Sequence, residues 1–165
     1  MSWHQTTYKV RVSSRAIIVR DDAILLNCFG DGQYYNFPGG GIEENETAKQ
    51  AVAREVLEES GLTVKVGELV FSLEYEPKSC SYSGGDMHHI SFFFRCYLDE
   101  DALEQTPSNP DVNPDDPSIT SKTVWVQFTE LNKINLLPNA GNSLLNYLET
   151  GIFSPSFWDE SEQQT

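Results

Sequence analysis

Three glutamates, Glu55, Glu58 and Glu59, stand in a stretch whose apolar residues recur with helical spacing. Separations of three and four residues bring side chains to one side of an α-helix, so the three carboxylates share a stripe. Val52, Ala53, Val56 and Leu57 form a second, broader stripe, which reads as the buried side. In open water an acidic stripe costs tenths of a kcal/mol per pair and is the ordinary solvated face of a helix. In a partly enclosed cleft, carboxylates about 6 Å apart repel by roughly 3 kcal/mol per pair at an effective dielectric of about 20. An enclosed stripe therefore asks for a cation. Hard divalent ions such as Mg²⁺ meet that need with carboxylate oxygens, water and substrate phosphate.

The neighbours of the stripe are suited to hold it. Pro38-Gly39-Gly40-Gly41 reads as a loop whose backbone, free of Cβ atoms, can approach a ligand closely before the helix begins. Arg54 can pair with Glu46 or Glu58 and fix the acidic side in place. Thr47-Ala48-Lys49-Gln50 has the form of a capping box and Gly61 stands where a left-handed C-terminal glycine belongs, so the helix is predicted from Thr47 to Ser60.

Strands must flank this helix. Tyr8 to Phe29 reads as two strands broken at Asp21-Asp22, with Ala16-Ile17-Ile18-Val19 and Ile24-Leu25-Leu26 as their apolar cores. Gly30-Asp31-Gly32 is a turn, and Tyr34 to Phe37 is a short extended piece. After the helix, Leu62 to Tyr75 reads as a strand or a bent pair. His89 to Leu98 is a further strand, with Ile90, Phe92, Phe94 and Cys96 on one side, and His88 and His89 mark its entry. Asp99 to Ser121, rich in Pro, Asp and Asn, has no regular pattern. Thr123 to Phe128 reads as another strand, and a closing helix covers Asn142 to Glu149. One domain is expected over residues 1–153, followed by a polar tail, 154–165, in which Phe157 and Trp158 are the residues able to dock.

Composition narrows the function. With 11 basic and 25 acidic residues among 165, the net charge is −14. Nucleic-acid backbones and anionic membranes need clustered Lys and Arg, so general binding to either is not expected. A small phosphorylated substrate remains compatible, because a cation can bridge its oxygens to protein carboxylates. Cys28, Cys80 and Cys96 lack metal-ligand spacing and read as reduced thiols. Met1 to Val12 holds no apolar run of signal-peptide length and no stretch approaches a membrane span. The expectation is a cytoplasmic protein.

Taken together, residues 40–62 resemble the Nudix box, through Gly40, Glu46, Arg54, Glu55, Val56, Glu58, Glu59, Gly61 and Leu62. At about 6% background usage per fixed residue, the match has a chance on the order of one in 10⁸ per start position. The resemblance implies a Nudix-type α/β/α sandwich around a mixed β-sheet, and hydrolysis of a nucleoside diphosphate linked to some group X. It further implies that Glu55, Glu58 and Glu59 bind Mg²⁺ or Mn²⁺, with the Gly39 carbonyl as an additional ligand. Arg54 and Glu55 belong to the catalytic group with Glu58, and Gly40, Glu46 and Gly61 support it. Glu55 is one candidate for the general base, and Glu104, Asp111, Asp115 and Asp116 are others.

Two departures bear on the substrate. Asn27-Cys28 stands where many members of the family carry Arg or Lys, and Ser118-Ile119-Thr120 stands where many carry an acid. Phosphate contacts must then come from elsewhere, with Arg11, Arg15, Lys78 and Arg95 available. Tyr34, Tyr35 and Phe37 either stack on a base or pack the sheet. Pro77, fifteen positions past the box, is similar to the downstream proline of ADP-ribose pyrophosphatases. ADP-ribose-like nucleotides are therefore the favoured small-molecule substrates, with MutT-type hydrolysis of nucleoside triphosphates as the alternative. A non-catalytic nucleotide-sensing domain is the alternative from another class, and the intact set of carboxylates weighs against it. The resemblance also allows a homodimer, since sites in the family often draw on a partner chain.

Overall fold

The computed structural model describes residues 9–78, 87–108 and 121–160. Cys80, Asp111, Asp115, Asp116 and Ser118 to Thr120 lie outside them. Asp21, at φ 52°, turns β1 (Val10–Arg20) back into β2 (Ala23–Phe29). A second turn through Gly30, Asp31 and Gly32, all at positive φ, leads into β3 (Tyr34–Asn36). Next come β4 (Gly39–Gly41), α1 (Ala48–Ser60), β5 (Val64–Tyr75) and β6 (His88–Leu98). A 3₁₀ turn (Glu100–Ala102) follows, then β7 (Ser121–Gln127), β8 (Leu136–Leu137), α2 (Gly141–Thr150) and β9 (Phe157–Asp159).

The sheet is mixed, in the order β8-β3-β2-β1-β6-β5-β9, with β4 added to β1 and β7 to β2. The expected α/β/α sandwich is present. The parallel pairing of β1 with β6 runs from Val10↔His88 to Ile18↔Cys96 and forms its centre. Alternation along β1 divides the core in two. Ala16 and Ile18 meet Val52 and Val56 of α1, together with Leu25, Leu62, Phe94 and Cys96. Ile17 faces the other way, toward Phe37, Phe71, Phe93 and Leu144 of α2. Stacked rings of Phe93, Phe71 and Phe153, with centroids 4.1 and 4.0 Å apart, fill that second layer.

Three expectations change. The glycine stretch before the helix is not a free loop, because Gly39, Gly40 and Gly41 pair antiparallel with Arg15, Ser14 and Ser13. A Cβ on Gly39 would run into the Ser14 carbonyl and come within 2.7 Å of the Arg15 Cα, and its φ of 139° suits glycine alone. Second, β5 is one strand, with register shifts between Val66 and Phe71 that give it the bend. Third, the stretch read as a polar tail begins with structure: β9 adds to the edge of β5, and Trp158 docks at 5% exposure while Phe157 stays outside. Among the described residues no helix is long and apolar enough to cross a membrane.

Candidate active site

Helix α1 starts at a capping box, with Thr47 accepting from the Gln50 backbone and Gln50 reaching back to the Thr47 N–H. It ends at Gly61 in the left-handed conformation, whose N–H bonds the Leu57 carbonyl. The buried side comprises Ala51, Val52, Val56 and Ser60, whereas Leu57 is 47% exposed and Ala53 only half-buried. The helix is thus rolled away from the stripe expected from apolar spacing. Glu59 follows Val56 by three residues and Glu55 follows Ala51 by four, so both acids turn inward with the core side. Glu58 leads outward, with 57% of its side chain exposed.

Glu59 pays for that position in desolvation. Burial pushes its pKa up to about 7, and the Glu55 charge adds to the rise. The opposing influences are hydrogen bonds from the Asn27 side chain and the Gly39 N–H, the latter 2.9 Å from Oε2, and the charge of Arg15. Asn27 is itself buried, with the Thr123 hydroxyl donating to its Oδ1 at 2.9 Å. The same hydroxyl lies 3.0 Å from the Glu59 carbonyl. Strands β2 and β7 thereby hold the last turn of α1. In the sequence Asn27 stands out only as a departure from the basic residue common at that place, and Thr123 only as the start of a strand, and neither signals a contact with Glu59.

Arg54 binds the remaining acids. Its Nη2 donates to Glu46 Oε1 at 2.7 Å and to the Gly41 carbonyl at 3.1 Å, and its Nε to Glu46 Oε2 at 3.1 Å. Its Nη1 donates to Glu55 Oε1 at 3.0 Å and Glu58 Oε2 at 3.1 Å. The bond from Arg54 holds the Glu46 carboxyl below its ordinary range. Burial pushes the Glu55 carboxyl up despite the same guanidinium. Gly40 is needed beside it, because a Cβ there would enter the Glu55 carboxylate.

Among the described residues no three acidic, His or Cys side chains already converge on one point that could hold an ion. The donor chemistry nevertheless fits a hard divalent cation. Two desolvated carboxylates stand beside a third, the Glu58 charge raising Glu55 and the Glu55 charge raising Glu59, and a positive charge among them would relieve that conflict.

Arg15 lies beneath β4. It donates to the Phe37 carbonyl at 2.8 Å and the Gly39 carbonyl at 3.3 Å, and burial lowers its pKa against the raising influence of Glu59 and Glu55. The Gly39 carbonyl, expected as a metal ligand, thus accepts from a guanidinium here. Phe37 is a correction: its ring is fully buried, edge-on to Phe93 at 5.2 Å, so only its carbonyl faces the site. The Tyr34 ring stacks on Phe29 at 4.6 Å in the β2–β3 hairpin, and Tyr35 packs against the core. Arg95 bonds the Ile17 carbonyl and lies over Tyr97. Glu104 is exposed beside the carbonyls of Leu103 and Gln105, which Arg20 holds at the far end of β1.

Comparison with known proteins places this geometry in a family. The family model described as NUDIX domain matches residues 10–147. A MutT-like protein of Streptomyces ambofaciens is 44% identical over 59 residues, 35% of this chain and 38% of that protein. An RNA pyrophosphohydrolase of Histophilus somni is 54% identical over 37 residues, 22% of this chain and 19% of that one. The chain therefore spans well under half the length of these curated relatives. In overall fold it is similar to an ADP-ribose pyrophosphatase from Streptococcus suis, with a TM-score of 0.60 and 24% identity over 90% of this chain and 96% of that one.

Proposed function

This chain belongs to the Nudix family, and on that footing we propose that it hydrolyses the pyrophosphate bond of a nucleoside diphosphate linked to a group X. The observation that carries the reading is the pair Glu55 and Glu59, turned inward and desolvated where α1 meets β4. Glu55, Glu58 and Glu59 would hold a divalent cation, Mg²⁺ or Mn²⁺, with the Gly39 carbonyl beside them once released by Arg15. When bound, such a cation would neutralise charge at the phosphates and make the attacking water more acidic.

The chain's own residues do the rest. Asn27 and the Gly39 N–H fix Glu59, and Arg54 fixes Glu46 and Glu55 so that the carboxylates are preorganised. Arg15 offers a guanidinium to a phosphate oxygen of the substrate. Glu55, whose carboxylate lies against Gly40 at the lead-in to the helix and beside the other acids, is the group placed to take the proton of the attacking water.

For X, a sugar as in ADP-ribose is the first class, supported by Pro77 and by the fold shared with an ADP-ribose pyrophosphatase. Nucleoside triphosphates are the second, favoured by the MutT-like relative. Product identification from a nucleotide panel with Mg²⁺ separates the two. AMP plus a sugar phosphate supports the first, and a monophosphate plus pyrophosphate supports the second. Tight nucleotide binding with no turnover of any member contradicts the hydrolase reading and points to a sensor.

A further inference from the structure

Hydrogen-bond donors run along one face of β1 and β6, leading away from the carboxylates. In the parallel pairing Arg11 stands opposite His89, Ser13 opposite Ser91 and Arg15 opposite Phe93. The same face continues through Tyr75 and Leu73 of β5, which stand opposite His89 and Ser91, to Trp158 of β9 beside Leu73. Ser13 and Ser91 are 3% and 6% exposed, with their Oγ atoms 2.6 Å apart. Two hydroxyls carry two hydrogens and their mutual bond uses one. Among the described residues the other has no protein acceptor. The buried indole N–H of Trp158 also lacks a partner among the described residues.

Charge on this face runs against the composition of the molecule. Arg11 lies along Gly41, where a Cβ would meet its Nη2 at 3.6 Å. That level is two residues, about 7 Å, along β4 from Gly39, where Arg15 sits. Burial, with the charges of Arg11, Arg15 and His88, lowers the pKa of His89 and so favours the neutral imidazole, which offers one N–H. A −14 protein has thus gathered two guanidiniums and two buried hydroxyls on one side of its central strand pair.

We propose that this face is a second anion subsite, in which Arg11, the Ser13–Ser91 hydroxyls and His89 bind a phosphate that the substrate carries beyond the two joined by the cleaved bond. The inference rests on the hydrolase reading and names its substrate class. That class is a nucleoside triphosphate, or a nucleoside diphosphate derivative bearing a phosphomonoester. Unphosphorylated ADP-ribose becomes the weaker member of its own class.

Two matched pairs test it: ATP against ADP, and 2′-phospho-ADP-ribose against ADP-ribose, each read as a ratio of kcat/KM with Mg²⁺. The expected result is a preference of about tenfold or more for the added phosphate in one pair, as for one charge-assisted contact. The pair that shows it identifies the source of the phosphate. Arg11→Met should bring that ratio to within about twofold of unity, and Ser91→Ala should lower it. Arg20→Met, which removes the same charge beside Trp125, should leave it unchanged. No preference in either pair, or one that survives Arg11→Met, overturns the proposal. If nothing is hydrolysed, calorimetric Kd values for the same pairs replace kcat/KM. An Arg11-dependent preference there keeps the subsite and removes the hydrolase reading, and its absence removes the subsite.

Discussion

Glu59 is a carboxylate held where a carboxylate is costly, and its cost has a measurable pH dependence. Its folded pKa of about 7 stands above the ordinary 4.5, so folding favours its protonated form. In metal-free protein the stability linked to Glu59 is complete below pH 4.5 and is lost as the pH rises through about 7. The loss is on the order of 3 kcal/mol. Urea unfolding with chelator between pH 4.5 and 8 should show that decline in the wild type and not in Glu59→Gln. A wild type that gains this component of stability over the window would contradict the assignment. Asn27→Leu removes a donor to Glu59, and by analogy with outer partners of metal ligands it should weaken Mg²⁺ binding about 10–100-fold, read by calorimetry. The spacing of Glu46, Arg54, Glu55, Glu58 and Glu59 made them legible as a group, because they contact one another within one helix and its lead-in. Asn27 and Thr123 were not legible, because their relation to Glu59 exists only across strands distant in sequence.

Elements differ in how they tolerate change, and β4 gives the sharpest contrast. A methyl at Gly39 strikes the backbone of β1, whereas a methyl at Gly40 strikes the end of the Glu55 side chain. Gly39→Ala should therefore lower Tm strongly by displacing β4. Gly40→Ala should hold Tm nearly constant and lower kcat by tenfold or more, since it moves a carboxylate and not a strand. Similar Tm losses in both would sink this division. At the start of α1, Thr47→Ala should cost about 1 kcal/mol of stability with little effect on catalysis. The helix and its two caps were readable from Thr47, Gln50 and Gly61, which act locally. Its roll was not. Leu57 satisfies the apolar spacing yet remains exposed, because Ala51, Val52, Val56 and Ser60 are the side that meets the sheet, and Glu55 and Glu59 turn inward with it.

At the scale of the molecule, two layers either side of one mixed sheet were foreseen, and the family match extends well beyond the box that suggested it. The edge of the sheet was not foreseen, since three residues of β9 carry no periodicity and Trp158 finds its place against Phe71 and Phe153 only after the chain has folded. A chain ending at Phe153 loses that indole and should be less stable by about 3 kcal/mol or more in chemical denaturation. Net charge acts at the same scale: in a chain of net charge −14, the proposed divalent cation and the donor face of β1 and β6 would offset the repulsion of an anionic substrate. In the proposed function the acidic side of α1 works through such a cation on a pyrophosphate bond. Hydrolysis of a nucleotide panel in ¹⁸O-labelled water, with Mg²⁺ or with chelator, for wild type and Glu58→Gln, tests this. Mg²⁺-dependent cleavage that places ¹⁸O on a phosphate product and falls to background in Glu58→Gln is the predicted result. Cleavage unaffected by chelator or by the substitution would contradict it.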